Sequence, residues 1–173
     1  MITRLHHIGL VVENLDAAVK NYEKLFDFKA YDFRNDQGKG FQLDARIMMP
    51  NGCWLHLVQN WNPESRVNKF LQQHGEGLEH IALETDNIEA DVAYLREIGV
   101  PLFEDKIFNA ADGFEAFVYP EDAIGFTVEL IQPHTTSYGW EAEKCNNPNL
   151  LGLQHIGVAV KDVYKAARRF EKL

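Results

Sequence analysis

Apolar and polar positions alternate along the chain in a pattern that occurs twice and then begins a third time. The run His7-Ile8-Gly9-Leu10-Val11-Val12 is short and rich in β-branched residues, which predicts a strand. Asn14 follows as a helix N-cap, and Leu15, Val19, Tyr22, Leu25 and Phe26 then fall on one helical stripe. Two further apolar runs, around Phe41 to Met49 and Trp54 to Val58, flank Asn51-Gly52, a strong hairpin signal. The same order returns from Leu78. A strand run is followed by Asn87, by the stripe Ile88, Val92, Leu95 and Ile98, and by Gly99 as a helix stop. Strands then follow over Glu115 to Tyr119 and Gly125 to Ile131.

The two copies, LHHIGLVVENLDAAVKNYEKL and LEHIALETDNIEADVAYLREI, are related by an offset of 73 residues. An ungapped alignment at that offset pairs Gly40-Phe41-Gln42 with Gly113-Phe114-Glu115 and Trp54 to Gln59 with Thr127 to Gln132. Each copy reads as βαβββ. One such module leaves a half-buried sheet with a single helix, whereas two can share a core and face each other across a cleft. The reading is therefore an α+β domain of two βαβββ modules over residues 1–133, with repeats at about 1–62 and 74–133.

A third copy opens at Leu153-Gln154-His155-Ile156-Gly157-Val158-Ala159-Val160, with Asp162 where Asn14 and Asn87 sit. Residues 151–173 are thus read as a partial third module, a strand and a helix. The polar, turn-rich stretch 134–150 is read as a linker. The preferred explanation is a piece of a longer multi-module protein. The alternative is that the last strand and helix pack on the first domain or on a partner chain.

The repeat singles out four side chains. His7 and His80 are 73 residues apart, and so are His56 and Glu129. All four lie on predicted strands. Alternation places His56 on a face with Trp54 and Val58, and Glu129 on a face with Thr127 and Ile131. Glu129 stands in the apolar run GFTVELIQ, where a buried carboxylate needs a cation or a proton. Position-matched metal-competent residues on apolar strands point to one divalent metal held by His7, His56, His80 and Glu129. His74 and His134 read as surface residues, and His6, facing away from His7, as structural.

Composition narrows the partners. A net charge of −9 disfavours nucleic acid and anionic lipid as main partners. No apolar run is long enough for a signal peptide or a membrane span, and Cys53 and Cys145 form no CxxC pair. The expectation is a cytoplasmic protein with reduced thiols and a small-molecule substrate. Exposed sheet edges would allow a homodimer.

These motifs resemble the vicinal-oxygen-chelate superfamily, which includes glyoxalase I, methylmalonyl-CoA epimerase, extradiol dioxygenases and bleomycin-resistance proteins. The resemblance covers residues 1–133 and rests on HIGLVV, GEGLEHIALETDNIEA and GFTVELIQP. The second half is most similar to the methylmalonyl-CoA epimerase branch. It implies metal ligands at His7, His56, His80 and Glu129, and an acyl-CoA or thiol adduct as substrate. Two departures stand out. The second ligand is usually Glu or Gln, where this chain has His56. Epimerases also carry an extra Glu near the third strand, where this chain has Gly38-Lys39-Gly40-Phe41 and, a few residues late, Asp44.

The implied chemistry is proton transfer next to a carbonyl, with Glu129 or Asp44 as base and cobalt, nickel, zinc or manganese as Lewis acid. Arg34, Lys39 and Arg46 are unranked candidates for meeting an anionic substrate. Trp54 and Phe117 are candidates to line an apolar cleft. A non-haem iron(II) dioxygenase built on His7, His80 and Glu129 is the second reading. A non-catalytic small-molecule-binding module is the third.

Overall fold

The computed structural model describes residues 1–35, 42–50, 52–119, 125–135 and 149–171. Lys39, Gly40, Phe41, Asn51, Cys145 and most of the predicted linker lie outside the described residues, as does the side chain of Arg34. The two βαβββ modules are present. The first is β1 (Ile2–Val11), α1 (Leu15–Phe26), β2 (Ala30–Asn35), β3 (Gln42–Met48) and β4 (Trp54–Asn60). A helix absent from the sequence reading, α2 (Arg66–His74), follows. The second module is β5 (Gly77–Thr85), α3 (Ile88–Glu97), β6 (Phe108–Asn109), β7 (Gly113–Val118) and β8 (Thr127–Pro133), with a short 3-10 turn at Phe103–Asp105.

The described residues fall into two compact units. One holds residues 7–79 together with 149–154, and the strand order β2-β3-β4-β1. The other holds residues 80–135 together with 1–6 and 155–171, and carries β5-β8-β7-β6. Strand β1 passes from one to the other, so the division does not follow the repeat boundary. The reason lies in the N-terminal half of β1. The Met1 amino group meets Asp86 at 2.5 Å, and Arg4 Nε donates to Glu84 Oε2 at 2.8 Å.

The repeat is visible down to single hydrogen bonds. Asn14 Oδ1 accepts from the Ala17 amide at 2.9 Å, and Asn87 Oδ1 from the Ala90 amide at 3.0 Å. Gln59 Oε1 accepts from the Leu15 amide, and Gln132 Oε1 from the Ile88 amide, both at 2.9 Å. Each module thus satisfies two of the orphan donors at its helix start in the same way. The parallel registers match as well: His7 lies beside Trp54, and His80 beside Thr127.

The third strands break the ungapped alignment. Arg46 opposes His56 on β3–β4, whereas Phe117 opposes Glu129 on β7–β8. The equivalent of Arg46 is therefore Phe117, 71 residues on rather than 73, and the equivalent of Asp44 is Glu115. The second hairpin connection is longer by two residues. A slip of two preserves which side chains share a face, so the fold tolerates it. Gly113 is fixed by close approach, because a Cβ there would overlap the Gln132 carbonyl oxygen.

In the first unit, Leu15 and Val19 of α1 are buried, together with Ala45, Ile47, Leu55 and Leu57 on one face of β3 and β4. The last turn of α1 departs from the predicted stripe. Leu25 is exposed, and Phe26 turns to ring contacts with Tyr22 and Phe28. In the second unit Ile88, Val92 and Leu95 of α3 are buried, whereas Ile98 lies past the helix end and is exposed.

The third copy keeps its cap but not its strand. Asp162 Oδ1 accepts from the Lys165 amide, and α4 (Val163–Phe170) follows. The strand predicted over Leu153 to Val160 is not formed. An apolar, β-branched run becomes a strand only when a neighbour supplies the ladder. Val163, the counterpart of Leu15, is 64% exposed against 3% for Leu15. Leu15→Ala should therefore cost about 2–5 kcal/mol, while Val163→Ala should stay within about 0.5 kcal/mol. Urea unfolding of the two variants would test this, and comparable losses would mean that α4 is packed.

Candidate functional site

In the first unit, β1, β3 and β4 present one polar face. The registers put His7, Trp54, His56, Asp44 and Arg46 on that face, because His7 is beside Trp54 and Arg46 is opposite His56. The His7 and His56 rings meet edge to face, with centroids 5.3 Å apart. Trp54 stacks on His7 at 5.6 Å, and the Arg46 guanidinium lies over the Trp54 ring at 5.6 Å. Asp44 Oδ1 is 3.5 Å from His56 Nε2, and its other oxygen accepts from Gln42 Nε2 at 3.3 Å. A carboxylate beside an imidazole orients the ring and selects which nitrogen carries the proton. Asp44 and Arg46 are both buried, so neither is the solvated surface residue that a charge on a strand would ordinarily be.

In the second unit, β5, β8 and β7 repeat the arrangement. His80, Thr127, Glu129, Ile131 and Phe117 share a face. His80 Nε2 lies 3.3 Å from Glu129 Oε2, and both side chains are buried. The structure thus brings His7 to His56 within one unit, and His80 to Glu129 within the other. Each pair joins the first strand of a module to its last.

The donor set suits a divalent metal. Imidazole nitrogens and one carboxylate are the ligands that borderline dications take, and a buried carboxylate beside a histidine favours a bound cation. The histidines read as bystanders lie elsewhere. His74 and His134 are exposed, and His6 is buried. Of the three basic residues left unranked, Arg46 is the one whose described side chain reaches this face. Trp54 is buried in the stack, while Phe117 lies on the Glu129 face and also touches Phe108.

Two features escaped the sequence reading. One is the buried Glu79, paired with Arg66 at the start of α2. Its neighbour His80 gave no clue, because adjacent strand residues face opposite ways. The other is the pair of helix-capping glutamines, whose 73-residue spacing was the available signal.

Among the described residues no helix is long and apolar enough to cross a membrane. Comparison with known proteins gives consistent relatives. The sequence profile of the glyoxalase/bleomycin resistance protein/dioxygenase superfamily matches residues 6–118. Human mitochondrial methylmalonyl-CoA epimerase is 25% identical over 142 residues, spanning 75% of this chain and 73% of that protein. The 4-hydroxyphenylpyruvate dioxygenase of Legionella pneumophila (strain Corby) is 34% identical over 94 residues, spanning 53% of this chain but only 27% of that enzyme. A solved structure of a Streptomyces coelicolor methylmalonyl-CoA epimerase variant, in complex with 2-nitronate-propionyl-CoA, superposes with a TM-score of 0.69 at 28% identity. That match covers 78% of this chain and 97% of the epimerase. The paired βαβββ modules, the mixed α+β architecture and a profile match over most of the chain lead to one conclusion: this chain belongs to the glyoxalase/bleomycin resistance protein/dioxygenase superfamily.

Proposed function

We propose that the chain is a divalent-metal-dependent enzyme that moves a proton next to a carbonyl, as an epimerase or a lyase does. One observation carries the reading. The same two module positions bear metal-competent side chains in both units, His7 with the half-buried His56 and the buried His80 with the buried Glu129. On this reading the four side chains hold one metal ion. When bound, such an ion polarises a carbonyl and stabilises the oxyanion that forms beside it.

The chain's own groups have separable tasks. Glu129 is a ligand, and it can take a proton from the substrate carbon if its carboxylate turns from the metal. Asp44 is the second candidate base, since its strand aims it to the face that carries His56. The base removes the proton adjacent to the carbonyl. Its return to the opposite face of that carbon gives an epimer, and its return to the neighbouring carbon gives a glyoxalase-type product.

Elemental analysis of protein purified without added metal tests the ligand set. About one cobalt, nickel, zinc or manganese per chain is expected. Deuterium exchange at the α-carbon of acyl-CoA substrates would follow. No bound metal, and none taken up on dialysis against these ions, would overturn the reading. Iron would favour the second reading, an oxygenase using His7, His80 and Glu129. The likeness to the 4-hydroxyphenylpyruvate dioxygenase supports that alternative, and the fourth candidate ligand, His56, weighs against it.

A further inference from the structure

We propose that Gln42, Asn60 and Ser65 are positioning residues that hold Asp44, and through it the ring of His56, from the start of α2; this rests on the metal-site reading above. Gln42 is directly opposite Asn60, and Arg46 opposite His56. Alternation along β3 and β4 then puts Gln42, Asp44, His56 and Asn60 on one face.

A hydrogen-bonded chain joins them. The Ser65 hydroxyl donates to Asn60 Oδ1 at 2.9 Å, Asn60 Nδ2 donates to Gln42 Oε1 at 3.0 Å, and Gln42 Nε2 donates to Asp44 Oδ2 at 3.3 Å. The other carboxylate oxygen, Oδ1, lies 3.5 Å from His56 Nε2. The direction of the chain is set by groups that act in one sense only. The Asn62 backbone amide donates to Asn60 Oδ1 at 2.9 Å, which turns the amide nitrogen of Asn60 to Gln42. Gln42 accepts there with its oxygen, and its own nitrogen is directed to Asp44. At the far end Ser65 accepts from the Asn68 amide at 3.0 Å as the N-cap of α2, so its hydrogen goes to Asn60. Every link donates toward the carboxylate, and links of one sense polarise and strengthen one another.

The module does not need this chain to fold. In the second module the places of Gln42 and Asn60 are taken by Gly113 and Pro133, opposite each other in the same register. Neither has a side chain that hydrogen-bonds, yet the hairpin forms. Fastening α2 does not account for the chain either. Ser65 and Asn68 already tie the helix to Asn60, the latter through its amide nitrogen on the Asn60 carbonyl at 2.8 Å. The extension through Gln42 to Asp44 adds nothing to that tie. What it does is fix the plane of a carboxylate that is only 7% exposed and point its second oxygen at a candidate ligand. A carboxylate held in this way sets the orientation of the imidazole beside it.

The nitrogen NMR signals of the His56 ring, read on the full chain stripped of metal with a chelator, report how the ring is held. The wild type should give two well-separated ring-nitrogen shifts, as one fixed tautomer does. Gln42→Met, uncharged and of similar size, should draw them toward a common average. Ser65→Asp keeps an oxygen to cap α2 but has no hydrogen for Asn60, so it should move the shifts the same way by less. Ser65→Thr keeps both and should match the wild type. Zinc affinity, measured by competition with a chelator, should fall roughly tenfold to a hundredfold in Gln42→Met and stay within about twofold in Ser65→Thr. Ring shifts unchanged in Gln42→Met and Ser65→Asp would overturn the proposal and leave the chain as a fastening of α2. Should Gln42→Met not fold, Ser65→Asp against Ser65→Thr decides it. Should the wild type bind no zinc, the metal-site reading fails on its own, and the ring shifts still decide whether the chain holds His56.

Discussion

Glu129→Gln should abolish the thermal stabilisation that divalent metal gives the wild-type chain. The substitution keeps the size of the side chain and a group able to hydrogen-bond His80, 3.3 Å away. It removes the one anionic ligand of the proposed set. Loss of even an outer hydrogen-bond partner costs a metal site about 10–100-fold in affinity, so loss of the charged ligand should cost on the order of 100-fold or more. Metal at about a hundred times its dissociation constant adds roughly 2.7 kcal/mol to the folded state. For a chain of this size that is a rise of roughly 5–10 °C in Tm. The wild type should show this rise with cobalt, nickel, zinc or manganese, and Glu129→Gln should show almost none. His74→Ala, on the exposed end of α2, should respond like the wild type. A full shift in Glu129→Gln would remove Glu129 from the ligand set. The readout is thermal, so it stands whatever the substrate is.

Much of this was legible because the chain carries its own comparison. His7 and His80, or Asn14 and Asn87, gain meaning from their spacing, and the first and last strands, the helices and the helix caps of the two modules fell where that spacing put them. What failed has identifiable physical causes. The 73-residue offset is a statement about chain length, whereas β3 and β7 are placed by ladder hydrogen bonds. Two extra residues in a connection shift one against the other with no penalty in facing. That slip conceals the equivalence of Arg46 with Phe117, and of Gln42 with Gly113. Helix α2 was invisible because it has no repeat partner and no buried apolar stripe. The segment from Leu153 to Val160 shows the converse failure. Its sequence copies a strand, but a strand is a relation between two segments, and the sequence of one does not provide the other.

Removing Arg66 should cause the largest loss of stability among single polar substitutions away from the proposed site. Glu79 is 2% exposed and pairs with Arg66, the first residue of α2. The pair fastens α2 to the start of β5, and α2 itself buries no side chain completely, so apolar packing cannot replace the tie. The Ser65 hydroxyl caps the helix start, accepting from the Asn68 amide and donating to Asn60 Oδ1, which holds Arg66 in place for its partner. Breaking a buried pair from one side costs about 3–5 kcal/mol, because the remaining charge keeps its desolvation penalty without the compensating attraction. Arg66 is 22% exposed, so water reaches one end of the pair, and the lower part of that range is expected. Arg66→Met should therefore lose about 3 kcal/mol in urea unfolding. Glu79→Gln in the same background should recover most of it, since an uncharged amide in place of the carboxylate removes the stranded charge. A double-mutant cycle measures the coupling directly. Additive losses would show that Arg66 acts through packing alone. A strongly positive coupling would identify the ion pair as what holds α2 against the strand that carries His80 on its other face.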